Sequence, residues 1–247
     1  MLAAAAGLST LFFIVVSIVM GARLLLLARR TRGLPEFAMG FGLLIIAGVA
    51  YPLSLAGRGL APESPELGRW LMASSAVPAA LGWSTVWVFT REVFRPGSRA
   101  CGWLVYGAIG LTGLLMVTSV HHMLTRTDLL DPARADLRLW GNSLVAMCAY
   151  VWAASESLLY WSKVRKRVAI GLADPVVANR FLLFAGVMIF SLIAVGASTF
   201  AGMAGIDTLE SPATLLTVAL AGTLCGLTMW LAFLPPQAYL RRVRAAA

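Results

Sequence analysis

Two charges stand where charge is expensive. Arg23 lies in an apolar run that ends at Arg29, and Glu156 in another that ends at Lys163. At a rise of 1.5 Å per residue, each sits roughly 9–11 Å in from a basic boundary. An ionisable group inside an apolar span is the default pointer to function, and opposite charges at equal depth are candidate partners. The middles of the apolar runs carry only neutral polar and aromatic groups. Trp83, Ser84, Trp87, Asn142, Tyr150, Trp152, Ser191 and Thr223 form the candidate ligand-binding set. Hydroxyls and aromatic rings suit a small apolar or neutral ligand. Proton- or ion-driven pumping instead calls for a carboxylate or histidine at that depth.

Other chemistry is thinly supplied. His121 and His122 are the only histidines, and adjacent residues on a helix point in different directions, so they cannot clamp one metal unaided. No metal site is expected. Cys101, Cys148 and Cys225 lack metal-ligand spacing and read as reduced thiols in apolar surroundings. There is no nucleotide loop and no nucleophile triad. The several histidines that ceramidase-like seven-helix hydrolases set around zinc are missing as well. The expectation is a protein that is not an enzyme.

The elements that must position these residues follow from composition. The chain of 247 residues is 60% hydrophobic and 13% charged, with a mean hydropathy of +0.83. A soluble domain needs a more charged surface. Seven runs can cross the roughly 30 Å hydrocarbon layer as helices. They are Ala3–Ala28, Phe37–Ala56, Leu67–Thr90, Ala100–Val120, Leu137–Ser162, Val176–Ala204 and Pro212–Leu234. The first lacks a basic start and ends in Arg29, Arg30 and Arg32, a stop-transfer flank rather than a cleavable signal.

The net charge of +9 sits in short clusters. Arg91, Arg95 and Arg99 follow the third run, Lys163 to Arg167 the fifth, and Arg241, Arg242 and Arg244 the seventh. The intervening connections, RGLAPESPELG and GIDTLES, are mixed or acidic. This asymmetry reports orientation rather than nucleic-acid binding: N-terminus outside, C-terminus in the cytoplasm, in a multi-pass cell membrane protein of bacterial type.

The chain also repeats itself. At an offset of 138 residues, Arg29, Gly33 and Leu34 meet Arg167, Gly171 and Leu172, while Leu44, Ala47, Gly48 and Val49 meet Leu182, Ala185, Gly186 and Val187. Glu36 and Asp174 place an acid at each cytoplasmic helix start, with Arg180 on the following turn. Helices 1–3 (about 3–94) and 5–7 (about 137–240) then form two parallel repeats in one domain, 1–247. Helix 4 (100–120) is the linker of this 3+1+3 layout.

Packing should rely on small residues. The candidates are Gly222 and Gly226 on helix 7, Ala197, Ala201 and Gly205 on helix 6, and Gly107, Gly110 and Gly113 on helix 4. Helix 4 is the candidate oligomer contact. Pro52 and Pro78 should kink helices 2 and 3.

By topology the chain resembles three groups. Microbial rhodopsins share seven N-out helices, and Arg69-Trp70 opens helix 3 in a similar manner. The only lysines, Lys163 and Lys166, lie outside the spans, so the resemblance implies an opsin-like bundle with no retinal Schiff base and no cofactor. SWEET and PQ-loop transporters share the 3+1+3 layout, but Pro236-Gln237 occurs once, at the exit of helix 7. The seven-helix input modules of bacterial sensors are similar in size. These resemblances imply a receptor-like protein that binds a small apolar or neutral ligand and couples to a separate signalling partner. The alternatives are a facilitator or transporter of a neutral solute and a structural subunit of a larger membrane complex.

The charge pattern yields a direct expectation. A reporter fused before residue 1 should be active only outside the membrane, and one after residue 247 only in the cytoplasm. The opposite pair of activities refutes the orientation.

Overall fold

The computed structural model describes residues 2–125, 137–206 and 211–245. Most of the acidic loop GIDTLES lies outside them. Every regular element among the described residues is helical. They are α1 (Leu2–Thr31), α2 (Leu34–Leu60), α3 (Pro65–Phe94), α4 (Arg99–Thr125), α5 (Leu137–Val168), α6 (Pro175–Met203), α7 (Pro212–Phe233) and the short α8 (Gln237–Ala245). The first seven are long and apolar enough to cross a membrane. They extend past the hydrophobic runs because the helical hydrogen-bond ladder continues through the interface until a cap or a proline stops it.

Starts and stops are written locally. Pro65, Pro175 and Pro212 open α3, α6 and α7, at the position where a missing N–H costs nothing. Asp174 Oδ1 accepts from Val176 N at 2.9 Å, and Ser211 Oγ accepts from Thr214 N at 3.4 Å, so both act as N-caps. Beyond α7, Pro235 and Pro236 end the run.

The matched glycines do different work in the two loops. Gly171 takes the left-handed conformation (φ +72°) that closes α5, with Leu172 N donating to Arg167 O at 2.8 Å. In the first loop that position falls to Arg32 (φ +53°), whose N–H donates to Ala28 O at 2.8 Å, while Gly33 is extended and caps α2. Two residues separate α1 from α2, and six separate α5 from α6. The ungapped alignment of the lead-ins therefore does not carry over into equivalent turns. Likewise Asp174 caps its helix directly, whereas Glu36 sits within the first turn.

Helix α2 widens into a π turn over Ile46–Ala50, where Tyr51 N donates to Ile46 O, five residues back. Pro52 lies just beyond it. Proline cannot donate and its ring crowds the preceding turn, and the wider turn relieves both problems. Pro78, by contrast, is buried within an unbroken α3.

Six spans close into a ring. α1 packs on α2 and α7, α2 on α3, α3 on α5, α5 on α6, and α6 on α7. Helix α4 stays outside, against α3 and α5. Close backbone approaches are made by glycines on α2 and its neighbours. A Cβ on Gly40 would come within 2.9 Å of Gly21 O, and one on Gly57 within 2.9 Å of Gly68 O. Gly42 faces Thr85, and Gly82 faces Ile46, with equally little room. The α1–α7 seam uses Gly226 against Phe12 and Gly222 against Ser9. Gly107, Gly110 and Gly113 of α4 meet nothing.

This contrast sets up a paired measurement in detergent. Gly40→Ala should destabilise by about 1–3 kcal/mol, because the neighbouring atoms are backbone and cannot rotate away. Gly110→Ala should be neutral or stabilising by up to about 1 kcal/mol, from helix propensity alone. Thermal unfolding with the two effects reversed would dismiss the packing assigned to α2.

Candidate functional site

The ring encloses a narrow cavity of about 60 Å³ at its centre. All six ring helices reach it: Phe13 and Ser17 from α1, Ile46 and Ala47 from the π turn of α2, Thr85 and Val86 from α3, Tyr150 from α5, Met188 and Ser191 from α6, and Met229 from α7. The π turn thus stands in the cavity wall. So do Gly42 and Gly82, which let the side chains of Thr85 and Ile46 pack close against the backbone there. No charged residue lines it.

Its hydroxyls differ in how far they are satisfied. Thr85 Oγ1 donates back to Gly82 O at 2.6 Å, and Ser191 Oγ shares a 3.4 Å contact with Cys225 Sγ. Cys225 in turn lies 3.6 Å from Val187 O. Ser17 is wholly buried, and its Oγ has no hydrogen-bond partner among the described residues. An unsatisfied hydroxyl buried among apolar groups costs free energy, about 1–3 kcal/mol. Beside a cavity, such a hydroxyl is placed where a bound group could pair with it.

No family model, curated protein or solved structure matches the chain. The reading therefore rests on geometry alone.

Of the eight ligand-set residues, Tyr150 and Ser191 line the cavity. The others are occupied elsewhere. Ser84 Oγ donates to Ala80 O at 2.8 Å on its own helix. Thr223 ties α7 to α1, lying 2.8 Å from Ser9 Oγ, which also donates to Ala219 O at 2.6 Å. Asn142 reaches from α5 to the backbone of α4, and the amide orientation that satisfies both of its ends has the nitrogen donating to Thr112 O at 3.0 Å and the oxygen accepting from Met116 N at 3.1 Å. It is a clamp holding the outlying helix. Trp87 and Trp152 pack together at 5.5 Å between ring centroids, with Trp83 against the same core. The indole nitrogen of Trp152 lies 3.4 Å from Glu156 Oε1, while that of Trp87 is buried and unpartnered.

The sequence reading missed Ser17, Met39, Met188 and Met229 because serine and methionine are ordinary in apolar helices. The only available signal was their coincidence at one depth on different helices.

The expected pairing of Arg23 with Glu156 is corrected. Glu156 is buried and accepts from Arg95 Nε at 2.8 Å, while Arg23 Nη1 donates to Phe233 O at 3.2 Å. Equal depth says nothing about direction around the bundle, and α1 packs on α2 and α7 whereas α5 packs on α3, α4 and α6. The Glu156 hydrogen bond, with its charge, holds the Arg95 proton more tightly than in water. Around this pair, Tyr160 Oη donates to Phe94 O at 3.2 Å, and Phe94, Tyr160 and Phe181 interlock. Lys163 lies over Tyr160, and Arg165 over Trp161. Next to them, Asn179 Nδ2 donates to Tyr239 Oη at 2.8 Å and docks α8 on α6. Arg180, on the next position of α6, is exposed.

The pair is asymmetric. Arg95 is half exposed and can turn to water, whereas Glu156 cannot. Arg95→Met should lower the melting temperature in detergent more than Glu156→Gln does, and the double change should recover part of the loss. Arg23→Met should do least. Strictly additive effects would overturn the Arg95–Glu156 coupling.

Proposed function

We propose that this chain is a seven-helix membrane protein that binds a small, uncharged, largely apolar molecule at the centre of its bundle. Occupancy would be read by a separate partner at the basic face. The observation that carries this reading is Ser17, an orphan hydroxyl in the wall of a charge-free cavity touched by six helices. The preferred ligand has an apolar body and one hydrogen-bonding group. Such sites join apolar walls to a few placed polar atoms. A ligand contacting all six helices can favour one arrangement of the ring over another, which is the requirement for signalling.

The orientation in this proposal is N-out and C-in. Supporting it, Arg23 on α1 bonds to Phe233 at the end of α7, and Arg95 at the end of α3 bonds to Glu156 on α5. Positive-inside bias assigns the basic ends to the cytoplasm.

A facilitator of a neutral solute is the second reading, favoured by the order of packing around the ring. Shifting each helix number by four turns α1–α2 into α5–α6, α2–α3 into α6–α7, and α3–α5 into α7–α1, all of which are contacts, with α4 left out. Two parallel three-helix repeats about a central site would produce this pattern.

Ser17→Ala separates binding from folding. Removing an unsatisfied hydroxyl should leave the ligand-free protein as stable or up to about 1–3 kcal/mol more stable. Retention of the co-purifying small molecule, measured by mass spectrometry of extracts, should fall by about 2–10-fold, the worth of one hydrogen bond. Ser17→Leu should abolish retention by filling the space. Unchanged retention in both variants sinks the assignment. Flux of the retained compound into liposomes would select the facilitator.

A further inference from the structure

A second feature lies at the basic end of α1, on the outer surface of the ring. A groove of about 800 Å³ runs between α1 and α2, walled by Leu25, Leu26, Phe37 and Leu44, with Arg29 and Arg32 at its mouth. The lining on α1 spans Ala22 to Arg32. Ten residues at 1.5 Å each make roughly 15 Å, half the thickness of the hydrocarbon layer. The groove therefore has the depth of one leaflet, with apolar walls inside and two cations at the surface. Leu26 and Phe37 are exposed along it.

The arginines are free to bind an anion. The salt bridges among the described residues are Arg91–Glu92 and Arg95–Glu156, so neither Arg29 nor Arg32 is neutralised by a carboxylate. The backbone that presents Arg32 is held in place. Arg32 is fixed in the left-handed conformation by the bond from its N–H to Ala28 O, and Gly33 N donates to Thr31 Oγ1 at 3.2 Å. A β-carbon disfavours that conformation, and the corresponding turn after α5 uses Gly171 for it. The nearby acid, Glu36, folds its carboxylate against Gly33, which lines the groove, so this end of it holds two arginines and one carboxylate, with no salt bridge between them.

We propose that this groove holds an anionic phospholipid, its phosphate between Arg29 and Arg32 and an acyl chain along Leu25, Leu26, Phe37 and Leu44. Charge selects the headgroup and the apolar trench selects a lipid over a soluble phosphate. The site is independent of the central cavity, and its occupancy stiffens the α1–α2 hairpin.

The test is native mass spectrometry and thermal unfolding of the purified full chain, with phosphatidylglycerol and phosphatidylcholine of identical acyl chains. The wild type should retain phosphatidylglycerol preferentially and gain melting temperature from it. Arg29→Gln/Arg32→Gln should lower that retention roughly tenfold, the size expected for two basic side chains at an anionic surface, and leave phosphatidylcholine unchanged. Arg241→Gln/Arg242→Gln should keep the preference, and so should Ser17→Ala, which separates this site from the cavity. A photoreactive phosphatidylglycerol should label residues within 22–44. The proposal is overturned if the Arg29/Arg32 variant keeps the preference, if the Arg241/Arg242 variant loses it equally, if inorganic phosphate reproduces the thermal gain, or if the label falls outside those residues.

Discussion

In a bilayer, one apolar helix gains nothing from hiding an apolar face against another, because lipid receives that face equally well. What remains is contact at short range, and here it is concentrated on α2. Gly40 against Gly21, Gly42 against Thr85, Gly57 against Gly68, and Gly82 against Ile46 bring three backbones together at distances a side chain would forbid. This approach sets the spacing of α1, α2 and α3, and hence the size of the space left at the centre. The π turn depends on it too. A turn widened beside Pro52 carries poorly placed backbone groups, which lipid could not satisfy and close neighbours can shield.

The central cavity is a consequence of the same packing. Larger residues at Gly42 and Gly82 would displace Thr85 and Ile46, which line it, and a regular α-helix through Ile46–Ala50 would change its wall. Most hydroxyls in this bundle return their hydrogen bond to a carbonyl on their own helix, as Thr90, Thr112, Ser155 and Ser157 do. That habit makes serine and threonine inexpensive in membrane helices. Ser17 departs from it, and its hydroxyl adjoins the cavity. A stability deficit left at a cavity wall is the arrangement that ligand binding can repair.

The seven spans were legible in the sequence because hydrophobic length and flanking charge are properties of single helices. The acid at the start of α6, Asp174, was legible for the same reason. What could not be read depends on the direction a residue faces around the ring. Arg23 and Glu156 share a depth, yet their helices have no common border, and Arg95, placed in a loop by its basic neighbours, is the group that reaches Glu156. Asn142 looked like a ligand-binding amide and is a clamp on α4. Thr223 was assigned to the binding band and stitches α1 to α7. The repeated Arg-x3-Gly-Leu phrase conceals different turns, since the left-handed residue is Arg32 in one loop and Gly171 in the other.

The polar fasteners and the cavity occupy different levels of the same helices, and this separation shapes how the bundle can move. At the basic face, Arg95–Glu156, Tyr160–Phe94 and Asn179–Tyr239 tie α3 to α5 and α6 to α8. The cavity lies farther in, with Val86 on α3 two turns, or roughly 12 Å, from Phe94. Helix α3 is unbroken between them, so a displacement at Thr85 and Val86 carries to Phe94 and Arg95 as movement of a rigid rod. Helix α2 has no such continuity, because its π turn interrupts the regular ladder at the depth of the cavity. A ligand at the proposed central site would press on one stiff wall, tied at the basic face, and one wall with a built-in irregularity. Binding energy shifts the bundle only if the ligand fits one arrangement of these walls better than the other. The asymmetry between α2 and α3 is where two such arrangements can differ without breaking a buried hydrogen bond.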